Sequence, residues 1–226
     1  QADWINGWLL GDWRWGEEAN NLKMGWILEE KEWPKSFANL SWRESLPNIV
    51  SSGTVIGTIS EKIALELSLP KDLLIVAGTT DSNAAVLAAN PNSNEGVTIL
   101  GSTLVLKRFT EEPINAPGVT NHRVVNRWLC GGSSNTGGAV LKKFFDSNQL
   151  NELSRQINPN KSSGISLRPL PSYGERFPVD DPTLRPILEP RPVSDSLYLH
   201  ALLEGIARIE SKGWKFFLDN GLQAID

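Results

Sequence analysis

Apolar and polar positions divide the chain into segments of different period. Near the start, Trp4, Ile5 and Trp8 fall on one face of a predicted amphipathic helix. After Pro47 the pattern changes. Residues 53–58 read as a strand or loop edge. Residues 61–67 have helical spacing, with Ser60 placed as the N-cap. Residues 72–77 form a short continuous apolar run, which predicts a buried strand. That run ends in Gly78-Thr79-Thr80-Asp81, and the small-residue stretch 82–89 predicts a helix. Asn90-Pro91-Asn92-Ser93-Asn94 is a polar breaker and marks a domain boundary near residue 90.

Beyond the breaker, residues 97–100 and 104–107 read as strands joined by Gly101-Ser102-Thr103, a hairpin signal. Residues 127–130 predict another strand, and the glycine-rich stretch 131–138 leads into a helix over 139–145. Residues 158–194 are rich in proline and polar residues and predict a long irregular excursion. Leu197, Leu202, Leu203, Ile206 and Ile209 then line one broad face of a long helix ending near Gly221. The chain opens on Gln1 inside a predicted helix. It closes on an apolar stretch, residues 222–226, where a strand is expected to begin. Both ends therefore predict a piece of a longer protein.

Composition narrows the function classes. With 40% hydrophobic and 21% charged residues a sizeable core is available, and wholesale disorder is excluded. A net charge of −4 is poor equipment for a phosphate backbone, so no nucleic-acid partner is expected. No apolar run approaches the roughly 20 residues of a membrane helix, so no membrane partner is expected either. One cysteine, Cys130, with only His122 and His200 beside it, offers neither an internal disulfide nor a zinc cluster. Seven of the nine tryptophans lie within the first 42 residues. They read as a packed helical layer or as a sugar-stacking surface, since indole faces suit both.

Standard nucleotide and hydrolase motifs are absent: there is no GxxxxGK[ST] loop, no strand-to-helix GxGxxG and no GxSxG elbow. Three strand-turn elements remain. Asp81 follows an apolar strand at the mouth of a helix, where open α/β sheets bind ligands; it either accepts a proton from a substrate hydroxyl or caps its helix. Gly101-Ser102-Thr103 either offers amides and hydroxyls to an anion or is an ordinary hairpin turn. Gly137-Gly138 either forms an anion site at a helix N-terminus or is a flexible turn with Thr136 as the N-cap.

In this order, and together with Leu69-Pro70, Gly174-Glu175-Arg176-Phe177-Pro178 and Glu204-Gly205-Ile206-Ala207, these segments resemble the FGGY carbohydrate kinases. The likeness is closest to the cyanobacterial and plant xylulokinase-like, D-ribulose kinase-like proteins, with Asn20-Asn21-Leu22-Lys23 also fitting that subgroup. The resemblance implies an α/β, actin-like and ribonuclease-H-like fold. Residues 1–90 would be the C-terminal part of a sugar-binding first domain. Residues 91–226 would be the N-terminal part of an ATP-binding second domain.

It further implies ATP-dependent phosphorylation of a sugar hydroxyl, on a ketopentose such as D-ribulose or D-xylulose, with ATP and Mg²⁺ as cofactors. By the same likeness, Asp81 is the general base and contacts substrate, as does Ser82. Gly101, Ser102 and Thr103 face the transferred phosphate, and Gly137 and Gly138 lie near the nucleotide phosphates. No metal ligand falls within these residues. The family's N-terminal phosphate-facing hairpin would precede Gln1 and its adenine-binding glycine triplet would follow Asp226, so the 226 residues alone are expected to be inactive. A cytoplasmic location is implied, or a plastid one in a plant. The alternative is a non-catalytic carbohydrate-binding or sensor protein of the same fold, with its tryptophans on the sugar.

Overall fold

The computed structural model describes residues 1–92 and 94–221; the strand expected over 222–226 lies outside the described residues. The chain forms two compact units. One comprises residues 1–90 with 122–129, the other residues 91–121 with 130–226. No helix among the described residues is long and apolar enough to cross a membrane.

In the first unit, helix α1 (Ala2–Leu10) ends at Gly11, whose positive φ supplies the left-handed turn that closes a helix. Strand β1 (Trp15–Glu17) pairs in parallel with β2 (Asn48–Val50), and the short helix α2 (Glu18–Asn21) follows β1 directly. Strand β3 (Val55–Thr58) pairs antiparallel with β4 (Leu74–Val76) across helix α3 (Glu61–Leu67). Ser60 occupies the N-cap position of α3, but its side chain makes no capping bond. Ile59, Ile63, Ala64 and Ile75 form the core of this unit, with Trp8, Leu9 and Leu10 of α1 packed on it.

Two sequence expectations change here. Strand β4 is half-buried: Ile75 is 5% exposed, but Leu74 and Val76 are 56% and 43% exposed. Within this chain the β3–β4 ribbon is covered on one face only, so an all-apolar run cannot bury both of its faces. The packed tryptophan layer is also split. Trp26, Trp33, Phe37 and Trp42 form a chain of ring contacts, whereas Trp4, Ile5 and Trp13 stand exposed.

Strands β5 (Val97–Leu100), β6 (Leu104–Thr110), β7 (Val119–Val124) and β8 (Arg127–Ser134) form a sheet in the order β5-β6-β8-β7; its residues belong to the second unit except 122–124 of β7 and 127–129 of β8. The hairpin expected at residues 97–107 is present, with Leu100 opposite Leu104. The helix expected over 139–145 is shorter: α5 spans Gly138–Leu141, and turns carry the chain on to Phe145. Helix α6 (Ser147–Ser154) starts at a capping box made by Asp146 and Gln149. Helix α7 (Asp195–Asp219) buries Leu199, Leu202 and Ile206 against Leu104, Val140, Leu141 and Phe145.

The excursion before α7 has almost no regular structure, yet one residue seats it firmly. Phe177 is buried, and its ring occupies space that a side chain at Gly132 of β8 or at Gly213 of α7 would need; a Cβ there would lie 2.5 and 2.8 Å from it. Phe216 and Phe217 pack on the same ring, with centroids 5.4 and 5.1 Å away. Two glycines thus open a slot between strand and helix, and one aromatic fills it.

Truncating that ring leaves a cavity bounded by a strand and a helix that cannot easily collapse. Phe177→Ala is expected to cost about 3–5 kcal/mol, read from the midpoint shift in denaturant at unchanged slope. A second expectation concerns Glu17, which is 1% exposed and whose Oε1 has no hydrogen-bond partner among the described residues. Burial pushes its carboxyl up to about 6. A raised carboxyl pKa favours the folded state most at low pH, and that advantage declines as pH climbs from the ordinary carboxylate range through 6. Between pH 5 and pH 8, wild type should therefore lose about 1 kcal/mol relative to Glu17→Gln, measured by denaturation at the two pH values.

Candidate functional site

In the first unit, β4 runs through Ala77 into Gly78-Thr79-Thr80, and helix α4 (Asp81–Ala89) begins at once. Thr80, not Asp81, is the N-cap: its hydroxyl accepts the Asn83 amide at 3.4 Å. Asp81 takes the first helical position and is exposed. Its Oδ1 accepts the Ser82 amide at 2.7 Å, and among the described residues nothing donates to its Oδ2. The physical reason is local. A threonine one residue earlier already satisfies the first-turn amide a cap would take, which frees one carboxylate oxygen. Asn83 is buried beneath and donates to Thr79 Oγ1 at 3.2 Å, fixing the turn from which Asp81 projects.

In the second unit, the two glycine-containing turns are brought together. The Gly138 amide donates to the Gly101 carbonyl at 2.8 Å, the Ala139 amide to the Ser102 carbonyl at 3.2 Å, and the Leu104 amide to the Thr136 carbonyl at 2.7 Å. A Cβ on Gly137 would lie 2.7 Å from the Ser102 carbonyl oxygen and from Thr103 backbone atoms; one on Gly138 would lie 2.9 Å from the Gly101 oxygen. Gly137 also has φ +146°, outside the range that other residues favour. The first amides of α5 are thus spent on the neighbouring turn. The groups left for an anion are on the turn at 101–103: among the described residues, the amides and hydroxyls of Ser102 and Thr103 make no hydrogen bond. Gly137, not Thr136, is the N-cap of α5, and the Thr136 hydroxyl donates instead to the Pro169 carbonyl at 2.6 Å.

A buried carboxylate holds the end of β8 from behind. Glu175 is 4% exposed and accepts the Ser134 hydroxyl at 2.5 Å, the Asn135 amide at 2.7 Å and the Arg176 amide at 2.9 Å. Asn135 returns a bond to the Gly174 carbonyl, and Arg176 Nε donates to Asn135 Oδ1 at 2.7 Å. The segment Gly174–Pro178 stood out in the sequence, but this supporting role did not. The one available signal was an acidic residue directly after a glycine inside a proline-rich stretch.

Gly137→Ala therefore collides with backbone and forces an unfavourable φ. It should destabilise the chain by about 2–4 kcal/mol and lower Tm by roughly 5–15 °C. Ser102→Ala, on the exposed face of the same turn pair, should leave Tm within about 2 °C of wild type in the same calorimetric scan.

Comparison with known proteins gives a consistent picture. No family model matches the chain. A Bacillus subtilis protein named "Putative sugar kinase YoaC" is 26% identical over 130 residues, which are 57% of this chain and 25% of that protein. Among solved structures, the Brucella ovis xyloylose kinase matches 99% of this chain and 48% of its own with a TM-score of 0.84 at 20% identity. The ligand-bound xylulose kinase of Lactobacillus acidophilus matches 96% and 47% at 0.77 and 17%. The Plasmodium falciparum glycerol kinase with ADP matches 99% and 47% at 0.75 and 16%. The chain spans about half the length of these solved structures and a quarter of the Bacillus protein. Its mixed α/β architecture is the actin-like fold of these sugar-kinase structures.

Proposed function

We propose that the protein is an FGGY-type carbohydrate kinase that phosphorylates a sugar hydroxyl with ATP, and that its acceptor is a ketopentose such as D-ribulose or D-xylulose. The observation that carries this reading is the pair of turns at 101–103 and 137–139, bonded to each other while the Ser102 and Thr103 donors, on an exposed and a half-buried residue, stay unengaged among the described residues. Their placement on a fold shared with sugar-kinase structures supports it. Residues 1–90 would belong to the sugar-binding domain and residues 91–226 to the ATP-binding domain.

Phosphoryl transfer asks a protein for positioning and charge stabilisation more than for covalent chemistry. In this reading Asp81 Oδ2 takes the proton of the attacking sugar hydroxyl, while Oδ1 stays on the Ser82 amide and keeps the carboxylate oriented. Ser82, next in α4, contacts the same sugar. Ser102 and Thr103 donate amide and hydroxyl hydrogens to the transferred phosphate, with Gly101 shaping the turn. Gly137 and Gly138 bring the second turn close to the nucleotide phosphates, and their lack of side chains fits that approach as well as it fits the packing on 101–103. ATP supplies the phosphoryl group and Mg²⁺ its charge neutralisation. Among the described residues no three His, Cys, Asp or Glu side chains gather to hold a metal.

A second reading, a non-catalytic carbohydrate-binding protein, is favoured by the exposed indoles of Trp4, Trp13 and Trp42. Kinetics separate the two. In the full-length protein, assayed with ATP against a panel of pentuloses, hexoses and polyols, activity should be highest on a ketopentose. Asp81→Asn should cut kcat by roughly 10²–10⁴ with Tm unchanged. Retained turnover in Asp81→Asn removes the base assignment, and sugar binding without phosphorylation of any acceptor supports the second reading.

A further inference from the structure

Apart from the turns, the second unit contains an open cavity of about 140 Å³ between the excursion and α7. Its helix side is a single stripe, Gly205, Arg208, Ile209 and Lys212, at the i, i+3, i+4, i+7 spacing of one helix face. Its other walls are apolar, formed by Leu167, Pro178, Val179, Leu184 and Ile187, with Arg168 among them. The lining therefore joins a greasy interior to three cations.

Three acidic groups lie near those cations and offset the two arginines in part, which leaves Lys212 as the cation without a partner acid among the described residues. Glu175 lines the cavity at its β8 end, where its oxygens are turned to the Ser134 hydroxyl and the Asn135 and Arg176 amides, so the head group of a bound anion is assigned to the opposite, helix side with Arg208 and Lys212. Glu204 pairs with Arg208 at 3.6 Å, while Ser163 holds the same carboxylate with its hydroxyl and with its amide at 3.1 Å. Asp181 stands near Arg168, whose Nη1 donates to the Arg185 carbonyl at 3.0 Å. Lys212 makes no ion pair or hydrogen bond among the described residues. Both arginines keep further N–H donors beyond the carbonyls they serve.

We propose that this cavity binds a small organic anion with an apolar body, its charged head held by Arg208 and Lys212 and its body against Leu167, Leu184, Ile187 and Ile209. Size sets the class. An engineered cavity of about 150 Å³ admits benzene, so the occupant is a single ring or a short branched chain. Charge sets the head group, a phosphate monoester or a carboxylate. The site lies wholly within the second unit and does not depend on the kinase reading.

Isothermal titration calorimetry of the full chain with phenyl phosphate and with benzoate tests it, with inorganic phosphate and acetate as body-less controls. The expected result is one-to-one binding of at least one aromatic anion, with a dissociation constant at or below about 1 mM. Lys212→Met should weaken it about tenfold, as loss of a charge-assisted contact does. Lys215→Met, on the same helix but paired with Asp219 and outside the cavity, should leave it unchanged. Which anion binds more tightly names the head group. Absence of binding by both aromatic anions overturns the proposal. So does equal weakening by the two lysine variants, and so does binding of phosphate or acetate as tight as that of its aromatic counterpart.

Discussion

The carboxylate of Glu175 is the interaction on which the second unit depends. A buried charge without a cation on it is costly unless its oxygens are hydrogen-bonded, and here three donors meet that demand. Two of them, Ser134 and Asn135, are the last residues before the turn at 136–138. Ser134 passes the constraint on, since its oxygen also accepts the Thr136 amide at 3.1 Å. Thr136 in turn holds Pro169 through its hydroxyl and Leu104 through its carbonyl. One buried acid thereby determines where the backbone of 137–139 meets the backbone of 101–103.

Glycines complete this arrangement by omission. Gly132 and Gly213 leave room for the Phe177 ring, Gly205 lets α7 approach Leu167 and Pro169, and Gly137 and Gly138 let one turn lie on another. In each case a methyl group would meet atoms closer than 3 Å. The excursion closes on itself through the bridges Arg168–Ile187 and Glu175–Asp181, and is held in place by the shape of its neighbours and by the Glu175 side-chain bonds. Its role is to support the β8 end and to wall the cationic cavity.

The first unit treats its carboxylates in two ways. Glu17 and Glu18 are buried around the β1–α2 junction, and burial raises both carboxyls above the ordinary range. Asp81 sits at a strand-to-helix junction in solvent, with one oxygen held by the next amide and the other unengaged among the described residues. The difference follows from local geometry. A helix start leaves amides that orient a neighbouring acid, and Thr80 takes the capping duty that would otherwise consume Asp81.

Local pattern alone determined the hairpin at 97–107, helices α3, α4 and α7, and the strand-turn-helix setting of Asp81. Each depends on contacts within a few residues, which periodicity and capping chemistry report directly. Glycine and hydroxyl content also marked the turns at 101–103 and 137–138 as chemically unusual. Only the tertiary structure decided that these two turns bond to each other, since strands β6, β7 and β8 intervene between Gly101 and Gly138 and no local period relates the two. The same holds for Glu175 beneath β8, Phe177 between two glycines, and the joining of Arg168 to the Arg208–Lys212 stripe. The exposure of Leu74, Val76 and Trp4 likewise depends on which faces the rest of the chain covers. Hydrophobicity states what a residue prefers, while long-range packing decides what it receives.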